Sequence, residues 1–134
     1  MNYWLLKTEP DTYSWDDLVK EKKCTWDGVR NFKARSYLKA MKKGDTAFIY
    51  HTGDEKSIIG VATVTSDGYP DPKDKDWVVV DLSPKKKLKK PVSLSQIKAD
   101  KRLVGMVLVR AARLSVQPVK QEEFDYIIKL SEEE

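Results

Sequence analysis

The sequence predicts an α+β domain, a small curled mixed sheet with helices packed around it. Three observations carry this. Apolar, β-forming runs crowd the middle of the chain, at residues 46–50, 58–65 and 77–82. Helical periodicity with capping signals lies before, between and after them. The length, 134 residues, gives one domain with its own core and room for no second.

Taken in order, Tyr3, Trp4, Leu5 and Leu6 read as a short buried strand. Ser14 caps a helix, with Asp17 three residues on to complete a capping box. Trp15, Leu18 and Val19 give that helix one apolar side. A second helix spans 32–43 and stops at Gly44. In it Ala34, Tyr37, Leu38 and Met41 share the core face, and Lys33, Arg35, Lys39, Lys42 and Lys43 fall on the other. The runs 46–50 and 58–65 flank the turn-like Thr52-Gly53-Asp54-Glu55 and should form an antiparallel hairpin. Residues 66–76, rich in Gly, Pro and Asp, read as a loop. A strand follows over 77–82, after which Pro84 marks an edge or a bulge. Ser93 and Gln96 form a second capping box and start a short helix. Residues 103–110 fit either a strand or a helical turn, 113–119 look extended, and 121–130 form a last helix with Phe124, Ile127 and Ile128 inward.

The formal charge is +4, from 25 Lys+Arg and 21 Asp+Glu. Residues 120–134 hold two lysines and six acids, net −4, which leaves +8 on 1–119. A basic body with an acidic tail favours an anionic partner. One cysteine, Cys24, excludes an intrachain disulfide and any CxxC site. One histidine, His51, excludes paired-histidine metal motifs. No apolar run approaches the ~20 residues of a membrane span, and the start does not read as a signal peptide. The expectation is a soluble intracellular protein, cytoplasmic or nuclear if eukaryotic. The sequence leaves the oligomeric state open, with a monomer favoured, and implies no cofactor, no metal and no membrane partner.

Nothing in the sequence assembles a catalytic group. His51 stands at a strand end with no serine or cysteine motif around it, and reads as a hydrogen-bonded, half-buried side chain. Asp67, Asp71, Asp74 and Asp76 do not match calcium-loop spacing and read as solvated acids. The aromatics are more informative. Of four tryptophans, Trp26 opens the run Trp26-Asp27-Gly28-Val29-Arg30-Asn31, and Trp77 closes the loop containing Tyr69-Pro70-Asp71-Pro72. A tryptophan on a loop rim offers a flat face to a nucleobase; the other reading packs each ring into the core beneath its loop. Trp4 and Trp15 read as core. Near Trp26, Asn31 both donates and accepts, Asp27 accepts, and Arg30 supplies a planar cation. The same residues also suit plain turn chemistry at Asp27-Gly28 and a helix N-cap at Asn31. Arg30 with Lys33 and Arg35, and the cluster Lys85, Lys86, Lys87, Lys89 and Lys90, are phosphate grips or a solvated face.

Several motifs together resemble a known family. Lys7-Thr8-Glu9-Pro10 follows the first strand, and Trp26-Asp27-Gly28-Val29-Arg30-Asn31 precedes Ala34-Arg35 and Leu38. Gly44-Asp45, Phe48-Ile49-Tyr50-His51, Ile59-Gly60-Val61-Ala62, Tyr69-Pro70-Asp71 and the run from Arg113 to Val119 continue in order. This pattern, over almost the whole chain, resembles the EVE-domain proteins of the thymocyte nuclear protein family. The resemblance implies a single PUA-like small β-barrel flanked by helices, related to YTH and ASCH domains. It further implies a non-enzymatic module that binds nucleic acid and reads a modified, for example methylated, base in DNA or RNA.

By the same likeness the pocket lies where Lys7, Thr8 and Glu9, the loop carrying Trp26, Asp27, Val29, Arg30 and Asn31, and the segment of Ser115, Gln117 and Pro118 converge. Trp26 matches a cage wall of the YTH relatives, and Tyr69 and Trp77 are candidates for the opposing wall. Lys7, Thr8, Glu9, Ser115 and Gln117 enter through the resemblance alone. Two other classes stay open: a nucleotide- or nucleic-acid-modifying enzyme using Lys7, Glu9 or Asp27, and a basic adaptor with a vestigial pocket.

Overall fold

Alternation along the first strand divides the protein into two cores. In β1 (Tyr3–Thr8), Trp4 and Leu6 belong to one buried cluster and Leu5 to another, as a two-residue period requires. The computed structural model describes residues 2–133. The remaining strands are β2 (Cys24–Trp26), β3 (Thr46–His51), β4 (Ser57–Val64), β5 (Tyr69–Asp71), β6 (Asp74–Ser93) and β7 (Val116–Val119). The helices are α1 (Trp15–Glu21), α2 (Phe32–Ala40), α3 (Leu94–Ala99), α4 (Val107–Arg110) and α5 (Gln121–Glu132). The sheet runs β2-β6-β4-β3-β1-β7, with β5 paired to β6 off this path. It is mixed, because β1 lies parallel to β3 while the other pairs are antiparallel.

Helices cover both faces, so the central strands are apolar on both sides. One cluster joins Trp4, Leu6 and Ile49 to Trp15 and Leu18 of α1 and Ala34 and Leu38 of α2. The other joins Leu5, Phe48 and Ile58 to Ile97, Leu108 and Ile127 from the C-terminal helices. Gly60 of β4 lets the first face close up, since a Cβ there would lie 2.7 Å from the Trp15 ring. Buried Asp45 pins the start of β1 to the turn after α2: it accepts from the Trp4 indole at 3.0 Å and from the backbone of Asn2 and Lys42.

Both capping boxes form, Ser14 with Asp17 and Ser93 with Gln96, and the 46–50/58–65 hairpin is β3–β4. Other elements differ from expectation for local reasons. The second helix ends at Ala40 rather than 43, because Asp45 captures the Lys42 amide and Gly44 turns with φ 97°. Val19 is 46% exposed and belongs to no apolar face. Within 66–76, Tyr69 and Pro70 pair with Val79 and Val78; an outer strand tolerates the proline, which has no N–H to donate. β6 begins at Asp74 and passes through Pro84 without ending. Ala62 pairs with Pro84 and Val61 with Lys86, so Lys85 is the extra residue of a bulge that bends the strand. Residues 103–110 resolve into a turn followed by α4, and only Val116–Val119 of 113–119 pairs as a strand.

Candidate nucleic-acid interface

The sheet ends at β2 on one side and at β7 on the other, so the barrel is a half-barrel with an unclosed seam. β7 pairs with β1 only as far as Leu6. One more bond, Lys7 N–H to the Ser115 carbonyl at 2.9 Å, carries the pairing to the lip of the seam. Beyond Leu6, Lys7 and Thr8 stay paired with Tyr50 and His51 of β3 while β7 no longer accompanies them as a strand. A tight turn follows, in which the amides of Thr12 and Tyr13 both donate to the Glu9 carbonyl at 2.9 Å. Thr8 Oγ1 closes that turn by donating to the Tyr13 carbonyl at 2.7 Å.

These pieces enclose a cleft of about 490 Å³, within the size range of small-ligand sites. Lys7, Thr8 and Glu9 line one side, Tyr13 and Ser115 close it, and β2 with the loop from Asp27 to Arg30 forms the other. Trp26 sits on β2, paired with Val80, rather than on a loop rim. It is 8% exposed and part of the core, and the remaining surface lines the cleft. The two readings of this tryptophan are therefore both partly realised. Gly28 turns the loop with φ 77°, a conformation that favours glycine, and brings Val29 back beneath it, also 8% exposed.

The polar groups are positioned by bonds of their own. Lys7 Nζ donates to the Ala112 carbonyl at 2.5 Å, and half-burial lowers the lysine's affinity for its proton. Burial raises the proton affinity of Tyr13, helped by its bonds to Cys24 and Glu21. Burial likewise holds the Cys24 thiol protonated, which makes it a poor nucleophile. His51 is buried and engaged at both nitrogens: Nε2 accepts from the Trp15 amide at 3.0 Å, and Nδ1 donates to Glu55 at 2.5 Å. It orients α1 and offers no free base. Among the described residues, no group of three or more His, Cys, Asp or Glu is placed to hold a metal ion.

Of the residues expected in the pocket, Lys7, Thr8, Glu9, Trp26, Asp27, Val29, Arg30 and Ser115 line the cleft. Five do not. Asn31 Oδ1 accepts from the Ala34 amide at 3.0 Å and caps α2. Tyr69 donates to Asp81 at 2.7 Å. Trp77 stacks on Phe32 and does not line the cleft. Gln117 is wholly buried and donates to the Leu114 carbonyl at 2.8 Å, while Pro118 pairs with Trp4 inside the sheet. Arg30 lies 3.7 Å from the Asp71 carboxylate, and Arg35 donates to the Asp76 carbonyl at 2.8 Å. Lys33 is exposed on α2, outside the cleft. Asp71 is no solvated acid; it is 3% exposed and accepts from the Lys73 amide. The expectation missed Thr12, Tyr13, Cys24, Thr25 and Gly28. Cys24 and Trp26 share one face of β2, but a three-residue strand is too short to show this as a period, and Tyr13 had no signal either.

A curled mixed half-barrel with helices on both faces and a cleft at its seam defines the PUA-like class of α+β domain. At the level of fold alone it matches an ASCH protein of Zymomonas mobilis, with TM-score 0.58 at 12% identity over 96% of this chain and 95% of that one. The EVE domain family matches residues 2–130, and the chain belongs to that family. Mouse Thymocyte nuclear protein 1 is 36% identical across 99% of this chain and 75% of its own length. The NMR structure of a Rhodopseudomonas palustris protein superposes with TM-score 0.93 at 43% identity, covering 98% of this chain and 93% of that one. Human THYN1, crystallised in complex with 5-methylcytosine containing DNA, superposes with TM-score 0.92 at 32% identity over 100% and 99% of the two chains. Among the described residues, no helix is long and apolar enough to cross a membrane.

Proposed function

We propose that this protein binds nucleic acid and reads one modified base, 5-methylcytosine in DNA being the first ligand to test, without transforming it. The observation that carries the reading is the cleft at the seam. Apolar surface from Trp26 and Val29, acceptors from Glu9 and Asp27, hydroxyls from Thr8 and Ser115, and cations from Lys7 and Arg30 face one space of about 490 Å³. A base leaves the stack to enter it. Its ring and methyl group rest on Trp26 and Val29. The exocyclic amino group of a cytosine donates, which suits Glu9 or Asp27. Thr8, whose proton is committed to the Tyr13 carbonyl, is left as an acceptor. Arg30, Lys33 and Arg35 hold the flanking phosphates. The complex of human THYN1 with 5-methylcytosine containing DNA supports the choice of ligand. Reading rather than reaction is supported by His51, occupied at both nitrogens, and by the protonated thiol of Cys24.

The test is a titration with single strands and duplexes that differ only by one 5-methyl group, at two salt concentrations. The methylated strand should bind more tightly at both, while affinity for either falls steeply as salt rises. Equal affinity for the two strands would overturn base reading, and a flat salt response would overturn phosphate contact.

A further inference from the structure

We infer that Phe32 and Trp77 form a stacking platform for the nucleotide next to the one held in the cleft, so that the protein engages a two-nucleotide step. This rests on the base-reading function proposed above. Phe32, the first residue of α2, is 70% exposed, against 46% for Val19 and Val104, the other large exposed apolar side chains described. Its ring stacks on Trp77 with centroids 5.4 Å apart and planes at 22°. One ring covers only one face of another, so exposure this high leaves the second face of Phe32 open.

The setting of the pair points to a nucleotide. The Arg35 guanidinium lies 4.9 Å from the Phe32 centroid and 5.5 Å from that of Trp77, and Arg30 lies 5.2 Å from Trp77. Arg35 is held by a neutral carbonyl, that of Asp76, so its charge is not cancelled by its anchor. The first turn of α2 carries no acid, which leaves the positive end of the helix dipole uncompensated beside Lys33. An open aromatic face flanked by cations suits a base with its phosphate. Arg30 supplies the link, because it lines the cleft and also lies over Trp77. A strand that places one base in the cleft passes this arginine and brings its next base to Phe32. Trp77 is thereby assigned to the neighbouring nucleotide rather than to a wall opposite Trp26.

The experiment uses the full chain and a short single strand carrying one central 5-methylcytosine, with abasic versions lacking the central base or either flanking base. Removing one flanking base should weaken wild-type binding about tenfold. Phe32→Ala should weaken binding to the intact strand by a similar factor and lose nothing further on that abasic strand, whereas Phe32→Trp should restore affinity. Phe32 is exposed, so an unchanged urea midpoint in both variants is the expected control. If the two losses multiply, or Phe32→Ala binds like wild type, the platform is overturned. If only the central base matters, the platform fails while base reading stands. If the central base is dispensable, base reading fails and the platform with it.

Discussion

Tyr13 meets Trp26 edge to face, with ring centroids 6.0 Å apart and planes at 82°. The Tyr13 hydroxyl is held by Glu21 of α1 at 2.5 Å, so the first helix and the second strand meet at the cleft through this contact. The indole therefore serves the core and the cleft together. Trp26→Ala removes a ring that is 8% exposed, which should cost about 3–5 kcal/mol of stability. Loss of DNA binding in that variant would mix unfolding with the missing contact. Trp26→Phe separates them. It should stay folded with a smaller drop in urea midpoint and still bind the methylated strand more weakly than wild type. Unchanged affinity in folded Trp26→Phe would mean that the base does not rest on the indole.

His51 serves the backbone of α1. Its Nε2 takes the Trp15 amide proton, a donor that has no partner within its own helix. His51→Ala leaves that N–H buried and unpaired, so a destabilisation of about 1–3 kcal/mol is expected in urea unfolding. His51→Gln, which can present a carbonyl oxygen, should recover part of it. If both variants unfold at the wild-type midpoint, the bond does not form in solution.

What could be read in the sequence was what is decided locally. Ser14 with Asp17 and Ser93 with Gln96 announce helix starts within four residues, and two β-forming runs flanking the turn-like Thr52-Gly53-Asp54-Glu55 announce the hairpin. Trp26, Lys7, Thr8, Glu9, Arg30 and Ser115 are legible for the cleft, but Lys7, Thr8, Glu9 and Ser115 only through family likeness. The rest depends on how the sheet curls. β2 has three residues and β5 contains a proline, so neither carries a periodic signal; each exists because β6 lies alongside it. Tyr13 enters the cleft only because the turn at Glu9 folds back on β1. Gln117, which the family pattern set beside Ser115, is wholly buried in β7; a two-residue period would put residues 115 and 117 on one face, and Ser115 reaches the cleft only because it precedes the strand.

Gly60 faces the Trp15 ring with no room for a methyl group. The built Cβ position lies 2.7 Å from two ring atoms and 2.8 Å from a third. The ring is 2% exposed and cannot swing away without emptying its own site. Gly60→Ala should therefore destabilise by about 1–3 kcal/mol through overpacking, although alanine is otherwise the easier residue to order. Pairing it with Trp15→Phe tests the cause. A smaller ring should relieve the strain, so the double variant should be more stable than the sum of the two single losses predicts. Simple additivity would place the strain elsewhere.

Stability should vary with pH through one bond outside the cleft. Tyr126 of α5 donates its hydroxyl to Asp100 Oδ2 at 2.6 Å, and the Arg102 amide donates to Oδ1 at 2.9 Å. The Tyr126 bond first, and the Arg102 amide second, hold the carboxyl below its ordinary 3.8. The same bond raises the tyrosine above its ordinary 10.0. A depressed carboxyl contributes stability above 3.8 and loses it as pH falls through its lower folded value; a raised hydroxyl contributes below 10.0 and loses it as pH climbs through its higher one. The gap in urea midpoint between wild type and Tyr126→Phe should therefore be widest near neutrality. It should narrow in acid below about pH 4 and again in base above about pH 10. Asp100→Asn, with no carboxylate to protonate, should lack the acid-side change. A gap of constant size at every pH would mean that the hydroxyl does not bond the carboxylate.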